Sequence, residues 1–431
     1  MIGEEGSAVL ASLSRRGFEQ AEVFAKRGRS RRFEIGPEGV RVTSAEEVGW
    51  AVRAGSRGAS FYGASSGSPS GDLSWLVPEP GEPLSLPPPS ELVEWRDAPE
   101  SSQPPLGEEE GRRLLLAVAE KLEQEIPGAR LRWGALEDGA SEVRISNSLG
   151  LDVSYRGRLA TLALSASTPG PENRSVGARL TAVTAGSFPV RSIADRIVDL
   201  VSVRQRGRLE TEGDCDMVLA PEVCCHLLAA LAPAFVGPRR QVADFLQTHQ
   251  MRVASSAVTL VDDGRHPGGA LAAPVDGEGV ANGPRVLVEK GRLGESIVPW
   301  DEGGPPLGCR RRASWRDFPR VAPSHLSLAP CADNSASDLI EDLDDGYYLI
   351  GVPEATRLPS SSRGFSLPVC GFRVLGGKPV APLSIATLVG DPRSLLHAIV
   401  AVARDMRFVP LDAMIGAPTV SVRGLQLERE S

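Results

Sequence analysis

The sequence predicts an α+β protein in two parts, an N-terminal α/β domain over residues 1–212 and a β-rich C-terminal domain over 213–431. Three observations predict it. Short runs such as Ala21–Ala25, Ser30–Ile35 and Arg158–Ser167 dominate, with the alternation of half-buried strands. Stretches with helical periodicity are few. Gly (46) and Pro (35) together approach a fifth of the chain, which favours turns over long rods.

Ser7–Gly17 suits a short helix. Strand-like runs follow at Ala21–Ala25, Ser30–Ile35, Gly39–Ser44 and Val48–Ala54, and the Gly/Ser-rich Gly55–Gly67 reads as a turn region closing the block. From about 77 to 108 Pro, Glu and Ser prevail, with Pro87-Pro88-Pro89 at the centre. Such a stretch cannot sustain a helix and reads as an extended, exposed connection. Glu109–Gln124 then places Leu114, Leu115, Val118 and Leu122 on one helical face. Strands are expected at Arg130–Leu136, Ser141–Ser148, Leu151–Arg156 and Arg158–Ser167, before an amphipathic helix over Phe188–Val203.

The polar segment Arg204–Asp214 marks the domain boundary. Beyond it Asp216–Ala220 reads as a strand and Pro221–Val236 as a helix, whose Val223, Leu227, Leu231 and Phe235 recur at i, i+4 and face the core. Pro233 has no N–H for the Ala229 carbonyl and costs an interior helix on the order of 3 kcal/mol. The remainder reads as strands punctuated by Gly and Pro, with short helices near Ala336–Leu343 and Pro392–Ala403.

A net charge of −8 argues against a nucleic-acid partner held by phosphate neutralisation. The dense basic run Arg310-Arg311-Arg312 reads as a surface loop. The longest apolar stretch, Leu227–Gly237, is far short of a membrane span, and Met1–Gln20 has no h-region of a signal peptide. Cys215, Cys224, Cys225, Cys309, Cys331 and Cys370 form no CxxC pair and read as reduced thiols, so a cytoplasmic location is expected.

Several chemical patterns are weak. Gly63-Ala64-Ser65-Ser66-Gly67 has the spacing of a nucleophile elbow, but Pro69, Ser70 and Gly71 follow where a helix must start. Glu341–Gly346 is acidic but has no carboxylate at the closing position of a calcium loop. His226 beside Cys224 and Cys225, and His266 near Asp262 and Asp263, read as packing and loop residues. His249, His325 and His397 are isolated in sequence.

Several stretches, in order, resemble the TldD/PmbA family of metallopeptidases. They are Ala21-Glu22-Val23-Phe24 with Arg31–Val42, Asn147-Ser148-Leu149-Gly150-Leu151, and Val261-Asp262-Asp263 through Pro267-Gly268-Gly269 to Val275-Asp276-Gly277-Glu278-Gly279-Val280. Glu289-Lys290-Gly291-Arg292-Leu293, Gly364-Phe365-Ser366, Cys370-Gly371-Phe372, Pro379–Val389 and Gly416–Leu425 continue the series. The Pro-rich stretch stands where relatives usually carry a helix.

The resemblance implies a β-rich C-terminal domain of the TldD/PmbA type and dimers across a shared cavity. In the active subunit HExxxH and a later Cys hold zinc, and the Glu serves as general base. Aligning that motif places Ala229 and Ala234 at the two His positions and Ala230 at the Glu; Arg407–Gly416, opposite the Cys ligand, holds neither Cys nor His. Methyl groups neither ligate zinc nor accept a proton. The resemblance thus implies a TldE-like pseudoenzyme subunit with no catalytic or metal residues of its own. Zinc is expected on a TldD-like, HExxxH-bearing partner. The substrate class implied is a peptide, bound extended, or an amide-containing natural-product intermediate. A stand-alone binding or structural homodimer is the alternative.

Overall fold

In the computed structural model, the described residues are 2–36, 38–66, 73–80, 83–89, 104–170, 175–182, 185, 188–206, 212–246, 252–353 and 364–429. The first part carries α1 (Ile2–Arg15), β1 (Gln20–Gly36), β2 (Gly39–Ser56), β3 (Ala59–Ser66), β4 (Val77–Glu79), α2 (Glu108–Glu125), β5 (Arg130–Asn147), β6 (Asp152–Ser167), β7 (Ser175–Ala182) and α3 (Val190–Arg206). Its strands form one antiparallel sheet in the order β4-β3-β2-β1-β5-β6-β7.

Where the sequence suggested pairs of short runs, single long strands form: β1 and β2 span 17 and 18 residues. The apparent breaks at Lys26–Arg29 and Ala45–Glu47 are segments that leave the core yet stay paired, with Arg29 bridging Glu46 across the strands at 3.0 Å. An exposed ladder of charged pairs continues a strand without apolar alternation. Gly55–Gly67 is likewise not a turn region throughout, because Ala59–Ser66 pairs with β2 as β3. In the Pro-rich connection, 83–89 is irregular but not exposed throughout. Leu86 is buried, and the Pro87 carbonyl accepts from Asn147 Nδ2 at 2.8 Å.

Helices α2 and α3 cover one face of this sheet, burying Leu115, Val118 and Leu122 together with Ile193, Ile197 and Val201. Helix α1 covers a further part of the same face through Val9 and Leu13 against Val23, Trp50 and Val52, and the opposite face sets Phe24, Ala51 and Ile145 against Val275 and Trp315.

The second part begins with β8 (Gly213–Leu219), α4 (Pro221–Leu231), α5 (Arg239–Phe245), β9 (Leu260–Asp263), β10 (Pro284–Glu289), β11 (Arg292–Leu293), β12 (Arg310–Arg311) and β13 (Arg320–Val321). It continues with β14 (His325–Leu328), α6 (Ala336–Glu341), β15 (Asp345–Gly351), β16 (Phe365–Leu375), β17 (Lys378–Gly390), α7 (Pro392–Ala398), β18 (Ile399–Val402), β19 (Arg407–Pro410), β20 (Met414–Ala417) and β21 (Val420–Arg429). Two six-stranded sheets result, ordered β11-β10-β9-β14-β20-β19 and β17-β16-β15-β8-β21-β18. A further β17–β21 pairing closes five strands of the latter into a ring.

Helix α4 lies between these sheets. Its Val223, Leu227, Leu228 and Leu231 share one core with Leu260, Leu326 and Ile415 of one sheet and Leu349, Val369 and Leu388 of the other. The predicted stripe, which ends in Phe235, is buried at every position.

Candidate functional site

The helix that would carry the chemistry is built by its own sequence. Pro221 opens α4 at a position where a missing N–H costs nothing. At the far end Pro233 cannot donate to the Ala229 carbonyl, and the Ala232 N–H turns to the Leu228 and Ala229 oxygens instead. The α-helix therefore stops at Leu231 and passes into a 3₁₀ turn over Ala232–Phe235. Sequence reasoning carried the helix to Val236 with a kink; the missing donor ends it earlier.

Of the motif positions, Ala229 and Ala230 lie in the last turn of α4 and Ala234 in the 3₁₀ turn, all half-buried. The β19–β20 hairpin packs against this helix, and the Cys225 thiol donates to the Ile415 carbonyl at 3.2 Å. Residues 407–416 thus pack against α4. The zinc set of the active subunit does not fit three methyl groups on a helix packed against a hairpin without Cys or His. Among the described residues no group of three His, Cys, Asp or Glu side chains is placed to hold a metal ion.

The remaining sequence candidates scatter. Cys224 is buried, and burial alone pushes its thiol up to about 12. His226 is half-buried on α4 and His397 exposed on α7. Ser65 sits inside strand β3, while Gly67 and His249 lie outside the described residues. The acidic run Glu341–Gly346 is the end of α6 and the start of β15.

His266 and His325 are brought together in space. Both lie edge-on to the Phe408 ring, with centroids at 4.9 and 5.7 Å. His325 Nε2 is 2.8 Å from the Ala270 carbonyl, which only accepts, so Nε2 carries the proton and the buried Nδ1 is a bare acceptor without a partner. Burial holds both imidazoles below their ordinary pKa, so they are neutral at pH 7.

Phe408 also walls a cavity of about 340 Å³ that sequence reasoning missed. Its sides are the two edge strands β7 and β19, contributing Arg179 and Leu180, and Arg407 and Phe408. Its end is formed by Phe188, Pro189 and Arg196 at the start of α3, by Pro221 and Glu222 of α4, and by Ala270. Glu222, Cys225 and Ala229 recur at i, i+3, i+7 and share one face of α4. The cavity therefore lies on the face of the first lost His position, about 10 Å along the axis from it. The Arg196 guanidinium pairs with Glu222 and donates to the Ile350 carbonyl at 2.8 Å.

A second polar cluster corrects the reading of the basic run. Arg310 and Arg312 are not surface-loop residues; their side chains are 15 % and 3 % exposed. Arg312 reaches Glu22 of β1 at 2.7 Å and Arg310 reaches Glu278 at 3.0 Å. Arg53 of β2 binds both Glu22 and Glu278. Burial works against the Arg53 charge, but the two carboxylates outweigh it and hold the guanidinium firmly protonated. These five charges, four of them buried and Arg310 partly so, thus join the first sheet to β12 and adjoining loops of the second part.

The motifs that carry the family resemblance serve this architecture. Asp276 accepts from the N–H groups of Glu278, Val280, Cys309 and Arg310, which fixes the loop presenting Glu278. Asn147 Oδ1 accepts from the Leu149 and Leu151 N–H groups and shapes the turn at Gly150. Lys290 and Gly291 at φ 45 and 81 form the two-residue hairpin turn between β10 and β11. None of these supplies a reactive group.

Comparison with known proteins agrees with this architecture. The profile of the PmbA/TldA metallopeptidase C-terminal domain matches residues 212–429, just over half of the chain. The chain belongs to the PmbA/TldD family. Among solved structures, TldE of Thermococcus kodakarensis superposes with a TM-score of 0.84 at 18 % identity, over 98 % of this chain and 100 % of that one. A Thermotoga maritima protein described as a proposed modulator of a DNA gyrase gives 0.83 at 19 % identity, over 99 % and 100 %. At such identities the likeness concerns the fold. An uncharacterised protein of Methanocaldococcus jannaschii is 25 % identical over 227 residues, 51 % of each chain. A metalloprotease TldD homologue of Buchnera aphidicola is 25 % identical over 175 residues, 39 % of this chain and 36 % of its own. The matched region thus spans about half of the first of these relatives and about a third of the second.

Proposed function

We propose that this chain is the non-catalytic, TldE-like subunit of a two-subunit zinc metallopeptidase. Its substrates are peptides or amide-containing natural-product intermediates. The chain supplies scaffold and a wall of the substrate cavity; a TldD-like partner supplies HExxxH and the zinc. One observation carries the reading. Helix α4 lies between two sheets against the β19–β20 hairpin, and alignment with the active subunit's motif sets Ala229 and Ala234 at its two His positions and Ala230 at its Glu. Amide hydrolysis at neutral pH needs an activated water and a stabilised oxyanion, and an alanine face supplies neither.

The test is association. The chain is co-expressed with an HExxxH-bearing relative from the same genome and the pair is sized by light scattering. A stoichiometric complex is expected. Two separate proteins, or a stable homodimer that excludes the relative, would instead support a stand-alone binding or structural role.

A further inference from the structure

The cavity between β7 and β19 has an unbalanced charge. Among the described residues four ionisable side chains line it: Arg179, Arg196, Arg407 and Glu222. Arg196 and Glu222 neutralise each other and are held in place by the Ile350 carbonyl. Arg179 and Arg407 are exposed at the lining, and among the described residues neither has a carboxylate partner. Two guanidiniums therefore stand over a described lining that holds one neutralised ion pair and apolar walls, with Leu180, Phe188 and Phe408 among them. An apolar pocket with a few convergent charges selects a ligand with an apolar body and one group of opposite charge.

We propose that this cavity receives the C-terminal end of a peptide, with its carboxylate between Arg179 and Arg407 and an apolar last side chain against Phe188 and Phe408. Guanidinium forks match carboxylate geometry, and charge-assisted hydrogen bonds are about twice as strong as neutral ones. The volume, about 340 Å³, is at the small end for ligand sites, which suits a chain end better than a long segment. Two lining residues, Pro189 and Pro221, offer no N–H to an anion, and the arginines supply the charge. The edge strands on either side each pair with a single neighbour within their sheets. This inference rests on the reading above only in taking a peptide as the ligand.

Fluorescence anisotropy on the full chain tests it. The probe is an alanine-rich peptide ending in leucine, labelled at its N-terminus and prepared as the free acid and as the C-terminal amide. The acid is expected to bind at least about tenfold more tightly than the amide, the scale of one lost charge-assisted contact. Arg179→Gln and Arg407→Gln are each expected to weaken the acid by about fivefold or more and leave the amide unchanged. Arg240→Gln, a charge on exposed α5 away from the lining, is expected to change neither. Equal binding of acid and amide, no binding of the acid, or an equal effect of Arg240→Gln overturns the proposal. N-acetyl-leucine competing as well as the peptide overturns the peptide assignment in favour of a small acid. These outcomes are independent of complex formation with an HExxxH subunit, so either reading can fail without the other.

Discussion

Replacing Arg53 by Met tests whether the buried charge cluster holds the two parts of the chain together. The side chain keeps its approximate volume and loses its charge. In the native protein Arg53 is bonded to Glu22 and Glu278, both almost fully buried. Removing one partner of a buried ion pair typically costs roughly 3–5 kcal/mol, because the other charge is stranded. Here Glu22 keeps Arg312 and Glu278 keeps Arg310, which places the expected loss near the low end, about 3 kcal/mol. Burial already raises the Glu278 carboxyl above its ordinary 4.5, and Arg53 is the largest opposing influence. Without Arg53 it rises further. A carboxyl raised in the folded state contributes stability that is full below the unfolded pKa and is lost as pH rises through the folded value. The deficit of Arg53→Met is therefore expected to be larger at about pH 8 than at about pH 5. Adding Glu278→Gln removes the stranded charge and is expected to recover about 1–2 kcal/mol relative to Arg53→Met alone. Urea unfolding followed by tryptophan emission measures all of this, with Trp50 and Trp315 buried in the flanking core clusters. A loss under about 1 kcal/mol, or double-mutant energies additive within about 0.5 kcal/mol, would refute the reasoning.

Three further outcomes are expected. Gly291 has φ 81, and a Cβ there would meet the Ala254 and Ser255 carbonyls at 2.5 Å. Gly291→Ala is expected to cost at least about 2 kcal/mol and Gly303→Ala, at φ 87 in open space, about 1 kcal/mol; equal losses in urea would contradict the steric account. Burial pushes the Cys309 thiol up to about 11 and the Cys370 thiol up to about 12, whereas Cys215 and Cys331 are only half-buried. A thiol reagent near pH 8 is therefore expected to label only the latter pair in native protein and all six cysteines after denaturation without reductant; a smaller total would reveal a disulfide. Elemental analysis after mild dialysis is expected to find well below one zinc per chain, and a full equivalent lost on His226→Ala would show a makeshift site on α4.

Legibility followed distance along the chain. The core face of α4 could be read because Val223, Leu227, Leu231 and Phe235 repeat locally; its end at Leu231 could not be, because that apolar repeat runs on past Pro233. The lengths of β1 and β2 could not, since their outer halves are held by cross-strand partners such as Arg29 and Glu46. Arg310-Arg311-Arg312 looked like a solvated run because the carboxylate that buries Arg312 is Glu22, 290 residues away. The cavity was invisible for the same reason: Arg179, Arg196 and Arg407 come from three elements, and nothing in the local sequence of any of them marks a site. Several of the stretches that carried the family resemblance are turns and loop anchors, at Asn147, Asp276 and Gly291, and others are strand segments of β1, β16, β17 and β21.

The central claim is that this chain serves a catalytic partner without doing the chemistry, and reconstituted hydrolysis tests it most directly. A defined unstructured peptide is incubated with this chain, with the HExxxH subunit, and with both, and cleavage is followed by mass spectrometry. The account predicts no cleavage by this chain, little by the partner, and full activity with both that a chelator abolishes. A partner fully active alone and indifferent to this chain would contradict it, as would chelator-sensitive cleavage by this chain by itself.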